Sequence, residues 1–107
     1  MLKDGELLKD KCYVAGGWIG GAAMIPVTNP ADDSVIGHVP KLGATETRNA
    51  IEAAEKSQKH WAKKTAKERA ALLRKWFDLT IENQEDLARI MTAEQGKPLA
   101  ESRGEIA

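Results

Sequence analysis

Cysteine is nearly absent: Cys12 stands alone in 107 residues. A disulfide framework and a cysteine-based metal site within the chain are thereby excluded, which fits a reducing compartment. An excess of one charge is also missing, because 16 Lys and Arg balance 16 Asp and Glu. Net charge therefore gives no argument for nucleic acid or an anionic membrane as a partner. Long apolar runs are lacking too. The longest uncharged one, Gly20 to Val27, falls far short of the roughly 20 residues that cross a bilayer, and MLKDGELLKDK at the start has no signal-peptide centre. A soluble, cytoplasmic chain without membrane or nucleic-acid partners is the expectation.

Motifs of chemistry are equally sparse. Gly16, Gly17, Gly20 and Gly21 do not satisfy G-x-G-x-x-G and precede no helical pattern, so they are no dinucleotide fingerprint. Gly96-Lys97 resembles the tail of a phosphate loop, but Pro98 stands where Ser or Thr is required and Met91 where the first glycine belongs. His38 and His60 are the only histidines and have no Cys or acid at ligand spacing, so they read as structural. Cys12, with no histidine in a local motif, reads as a packed strand residue and not as a thiolate. Trp61 and Trp76 fall on apolar helical faces, which assigns them to a core.

What is present is a change of period. Composition at 42% hydrophobic and 30% charged suits one folded domain of ordinary kind. Residues 1–11 are polar and are expected to be flexible, held at most by contacts the chain cannot make to itself. Residues 12–40 read as a small antiparallel β unit: Cys12 to Val14, Trp18 to Ile19 across a glycine turn, Met24 to Thr28, and Ser34 to Val39 after the turn Asn29-Pro30-Ala31-Asp32-Asp33. Such a unit is marginal without a layer to pack on.

From residue 45 to 107 the period is helical. Thr45 is the expected N-cap of a helix carrying Ile51, Ala54, Gln58 and Trp61, with Ala50 and Ala53 permitting close approach of a neighbour. A second helix opens on Thr65-Ala66-Lys67-Glu68, a capping box, and carries Leu72, Leu73, Trp76, Phe77 and Thr80 on one face. Asn83 is expected to end it and to cap a third helix holding Leu87, Ile90, Met91 and Glu94, closed by Gly96 in the left-handed conformation. Pro98 then opens a fourth helix, expected to be cut off near Ile106. The bases between Lys59 and Lys75 oppose Glu68 alone, and they read as a solvated face, although a nucleic-acid or interaction module using that stripe is an open alternative. The fold class is thus α+β, short antiparallel strands followed by three to four helices.

Four phrases carry a resemblance: YVAGGWIGG, VTNPADDSVIGHVP, KERAALLRKW and MTAEQGKPLAESRGEI. In order and spacing the chain from Leu8 to Ile106 resembles the N-terminal part of the aldehyde dehydrogenase superfamily, and EQGKPLAE is most similar to bacterial NADP-dependent members that oxidise succinate semialdehyde. A sibling acting on another aldehyde fits the same residues. The resemblance implies a parent several times longer, in which 1–107 is an incomplete domain, the outer part of a Rossmann-like α/β coenzyme domain. It further implies NADP or NAD in the parent with none bound by this chain alone, the remainder of the parent as partner, a homo-oligomer, and an inactive fragment. In that family a cysteine attacks the aldehyde, hydride passes to the coenzyme, a glutamate activates water and an asparagine binds the oxyanion. All of these belong to segments past Ala107, so no catalytic or cofactor-binding residue is assigned here and Cys12 is not the nucleophile. One family feature does map. A monovalent cation site in many members corresponds to Val27, Thr28 and Glu94, whose oxygen ligands suit a hard cation; by spacing alone Glu94 is simply a helix-end acid. The uncovered face of Leu72, Trp76 and Leu87 is expected to cause self-association or dependence on a partner.

Overall fold

Two hairpins and four helices make up the computed structural model, which describes residues 1–107. The α+β class is as expected. Strands β1 (Cys12–Val14) and β2 (Gly17–Ile19) pair antiparallel, with Tyr13 opposite Trp18 and their rings edge to face at 5.3 Å. Their two-residue turn places Ala15 at φ 52 and Gly16 at φ 81, the doubly left-handed geometry whose twist suits a tight hairpin. Glycine was expected to fill such positions, and Gly16 does; at Ala15 an ordinary residue bears a cost of about 1 kcal/mol. Strands β3 (Met24–Thr28) and β4 (Val35–Pro40) form the second hairpin, with a register irregularity between Val27 and Thr28. Its turn is built by side chains: Asn29 Oδ1 accepts from the Ala31 N–H and Asp32 Oδ1 from the Ser34 N–H and hydroxyl. The single β unit expected over 12–40 is therefore two separate two-stranded sheets.

The helices are α1 (Ala44–Lys63), α2 (Ala66–Glu82), α3 (Gln84–Gln95) and α4 (Leu99–Ile106). Three caps differ from expectation. Gly43, not Thr45, caps α1, because the Glu46 carboxylate reaches back 2.9 Å to the Gly43 N–H and fixes the start two residues earlier. Asn83 ends α2 but leaves α3 without a side-chain cap, since its amide donates backward to the Leu79 carbonyl at 2.9 Å. Pro98 precedes the first helical residue of α4 instead of occupying it. The Thr65–Glu68 capping box is present in full, with Glu68 accepting from the Thr65 N–H at 2.7 Å and Thr65 Oγ1 from the Glu68 N–H at 3.2 Å. Gly96 ends α3 at φ 82, and a Cβ there would lie 2.8 Å from Pro30 Cγ, so glycine is required twice over. That contact brings the Asn-Pro turn and the Gly-Lys-Pro corner together.

Residues 1–11 are also corrected. A single 3-10 turn, Gly5–Leu7, is anchored because the Asp86 carboxylate accepts from the N–H groups of Lys3 (2.9 and 3.0 Å) and Asp4 (2.8 Å). The contacts the chain was thought unable to make to itself come from α3.

Burial is concentrated at that end. Ala88, Asp86, Ser102 and Pro40 are the four buried residues, and Thr92 Oγ1 meets Ser102 Oγ at 2.8 Å between α3 and α4. The molecule measures 47 × 34 × 20 Å with a radius of gyration of 16.5 Å, where a chain this long usually folds to about 13 Å. Its accessible surface of 8108 Å² likewise exceeds the roughly 5,900 Å² of a compact domain of this mass. This is a thin layer with one well-made end.

Candidate functional site

The residues singled out as cation ligands lie where β3 meets α3. Val27 and Glu94 line one cleft of about 140 Å³, together with Asp10, Lys9, Gly37 and His38. Thr28, the next residue along β3, is exposed and does not line it. The cleft's lining offers two carboxylates, Asp10 and Glu94, and backbone carbonyls, with the Lys9 ammonium as an opposing charge. Such a set suits a hard monovalent ion only in part. His38 on β4, His60 on α1 and Cys12 on β1 belong to different elements, and no three His, Cys, Asp or Glu side chains converge to hold a metal.

The glycines build no phosphate-binding loop. Gly16 is consumed by a hairpin turn and Gly20 and Gly21 lead into a strand, so none opens a helix N-terminus toward a phosphate. Lys97 is engaged by Glu105.

Electrostatic construction is strongest on α3 and α4. Glu85 accepts from Arg103 through two bonds of 2.7 and 3.0 Å and from Arg89 at 2.9 Å. Hydrogen bonds from Arg103, helped by the charges of Arg103 and Arg89, hold the Glu85 carboxyl down at about 2 and raise Arg103 in return. The Asp86 carboxyl is lowered by the backbone N–H groups of Asp4 and Lys3. Of these, only the Glu85–Arg89 pair is local in sequence, four residues apart on one helix. Nothing in the local sequence signals that Asp86 would bind the chain start, or that Arg103 would cross to Glu85.

The other large feature is apolar. Leu72, Leu73, Trp76, Phe77 and Leu79 on α2 remain 46 to 69% exposed, Trp76 most of all. The core role expected of Trp76 is not realised within this chain, and Trp61 on α1 is half-buried. α1 makes only slight contact with the other elements, and its Ala50, Ala53 and Ala54 face the first hairpin across an open groove.

Comparison with known proteins supplies what this geometry lacks. A profile described as the aldehyde dehydrogenase family matches residues 18–107. The glutarate-semialdehyde dehydrogenase of Pseudomonas aeruginosa is 59% identical over 99% of this chain and 22% of its own length. The NADP(+) succinate-semialdehyde dehydrogenase of Escherichia coli is 51% identical over 98% of this chain and 22% of its own. Among solved structures, an aldehyde dehydrogenase from Brucella melitensis superposes with a TM-score of 0.94 at 60% identity, covering 98% of this chain and 22% of that one. The chain thus spans about a fifth of the length of the relatives it matches.

Proposed function

The chain belongs to the aldehyde dehydrogenase family, and on that premise we propose that it serves as one portion of an enzyme oxidising a short dicarboxylic semialdehyde, succinate semialdehyde first, to the corresponding acid. The observation that carries the reading is the identity above half, over nearly the whole chain, to relatives named for succinate and glutarate semialdehydes. NADP, or NAD, accepts the hydride in that reaction when bound. Under this reading the chain's own residues neither hold it nor attack the aldehyde, and Cys12 is a half-buried residue of β1. Their part is structural, with the Pro30–Gly96 contact and the α3–α4 ion cluster fixing the shape of the layer. Val27, Thr28 and Glu94 contribute, under the same reading, part of a monovalent-cation site. No helix is long and apolar enough to cross a membrane.

The test is an assay of the purified chain beside the longer enzyme that contains it, with succinate and glutarate semialdehydes and both coenzymes. The longer enzyme is expected to turn over one or both, and the chain alone neither. Turnover by the chain alone would overturn its assignment as a structural portion, and a longer enzyme inert to both semialdehydes would overturn the substrate class.

A further inference from the structure

We propose that residues 1–10 form a strap held by a single latch, the Asp86 carboxylate, and that releasing the latch uncovers two clefts together while the hairpins and helices stay in place. The hydrogen bonds mark the strap as a separable piece. Within it, the Leu7 N–H donates to the Asp4 carbonyl and the Leu8 N–H to the Gly5 carbonyl, the Glu6 N–H donates to Asp4 Oδ1 at 2.9 Å, and Lys9 pairs with Glu6 at 3.6 Å. Only three hydrogen bonds leave it. All run from the N–H groups of Lys3 and Asp4 to the two oxygens of Asp86, at 2.8 to 3.0 Å. A unit closed on itself and tied at one acceptor opens as a whole when that acceptor is lost.

The latch is well made. Asp86 is buried in the first turn of α3, where the helix favours an acid, and its charge strengthens the bonds from two successive main-chain donors. One further contact reaches out from the strap, the Lys9 ammonium lying 5.2 Å over the Trp18 ring. An open cation–π contact of that kind is too weak to hold the segment by itself.

What the strap covers lies on either side of Leu8. Leu2 and Leu8 form one wall of an apolar cleft of about 190 Å³, whose other side is Ile36 of β4 with Ile90 and Ala93 of α3. Leu8 then continues, with Lys9 and Asp10, as a wall of the second cleft, the one bordered by Val27, Val39 and Glu94. Leu8 and Ile36 line both. Lifting the strap therefore wets the apolar cleft and, in the same movement, takes the charges of Lys9 and Asp10 away from Glu94. A segment that can rise without unfolding its support is a switch, and the paired N–H groups at positions 3 and 4 are its catch.

The test uses the 107-residue chain with single reporter thiols: Ala93→Cys in the first cleft, Val39→Cys in the second, and Ala71→Cys on exposed α2 as reference. Labelling with iodoacetamide is followed by peptide mass, which separates each reporter from Cys12. With the latch intact, the thiols at 93 and 39 are expected to react at least about ten times more slowly than that at 71. Asp86→Ala should raise both rates by about five-fold or more with helical circular dichroism unchanged. Lys3→Pro, which removes one donor and leaves α3 untouched, should raise both by a smaller factor. Reporters as fast as the reference with the latch intact, or protection that survives Asp86→Ala, overturn the latch. A rise at 93 without one at 39 overturns the joint uncovering. Should Asp86→Ala unfold the helices, Lys3→Pro decides: a rise at both thiols with the helices kept supports the strap, and no rise, or a rise only with loss of helix, overturns it.

Discussion

The α3–α4 corner and the α2 face, joined through Asn83, have solved opposite problems. At the corner, polar side chains reach across to other elements: Asp86 holds the chain start, Thr92 meets Ser102, Glu85 grips Arg103, and Gln84 donates to the Arg103 carbonyl at 2.9 Å. Across α2, apolar side chains turn outward and the polar ones are bonded to their own helix. Similar composition thus yields a region that closes on itself and one that waits for contact. The distinction lies in where hydrogen-bonding capacity is spent, because an edge that satisfies its donors locally can be covered and one that sends them across to another element is already complete.

The contrast can be broken most severely at Gly96. Gly96→Val combines a left-handed backbone with a Cβ driven into Pro30, and a loss of about 3 kcal/mol is expected in urea unfolding. A loss below about 1 kcal/mol would mean that the corner is no firmer than the rest.

Asp86→Ala comes next. It should leave every helix in place while the Lys3 and Asp4 amides lose hydrogen-exchange protection by at least about ten-fold, the scale of one lost charge-assisted bond. Acid should do the same. Since the folded-state pKa values of Asp86 and Glu85 are depressed, their contribution is complete above the ordinary carboxylate range and is lost as pH falls, for Glu85 through about 2. Lys3 and Asp4 amide shifts that titrate at the ordinary carboxylate value would contradict the anchoring.

Thr65→Ala removes one half of the α2 capping box and should cost about 1 kcal/mol, read as a loss of helical circular dichroism at intermediate urea. The smallest change is the sharpest for the contrast. Leu72→Ala, on a side chain already half exposed, should shift the stability of the isolated chain by less than about 0.5 kcal/mol. The same substitution in a complete enzyme should cost 2 kcal/mol or more, on the order of a buried leucine.

Legibility in the sequence followed the range of the interactions. The capping box at Thr65, the left-handed Gly96 and the four-residue Glu85–Arg89 pair were all readable, because each is settled within one turn of helix. Thr45 misled for a local reason too, since a glutamate reaching back to Gly43 competes with a threonine cap. What escaped was long-range. No period or motif ties Lys3 to Asp86 or Arg103 to Glu85, and the spacing that placed Trp76 on an apolar face could not say whether this chain would cover it. Val27 and Glu94 reached a common cleft through resemblance alone, and Thr28 lies outside it.

The grip of Asp86 on the chain start engages main-chain N–H groups and no side chain. Position 3 is accordingly loose in chemical identity: serine or leucine would be held as lysine is, less the pull of its charge, and proline, having no hydrogen to give, would be refused; position 4 is less free, because the Asp4 carboxylate also accepts from the Glu6 N–H at 2.9 Å. Drift in the wording of this opening segment can therefore proceed with its attachment unchanged, as long as the acid waiting on α3 is kept.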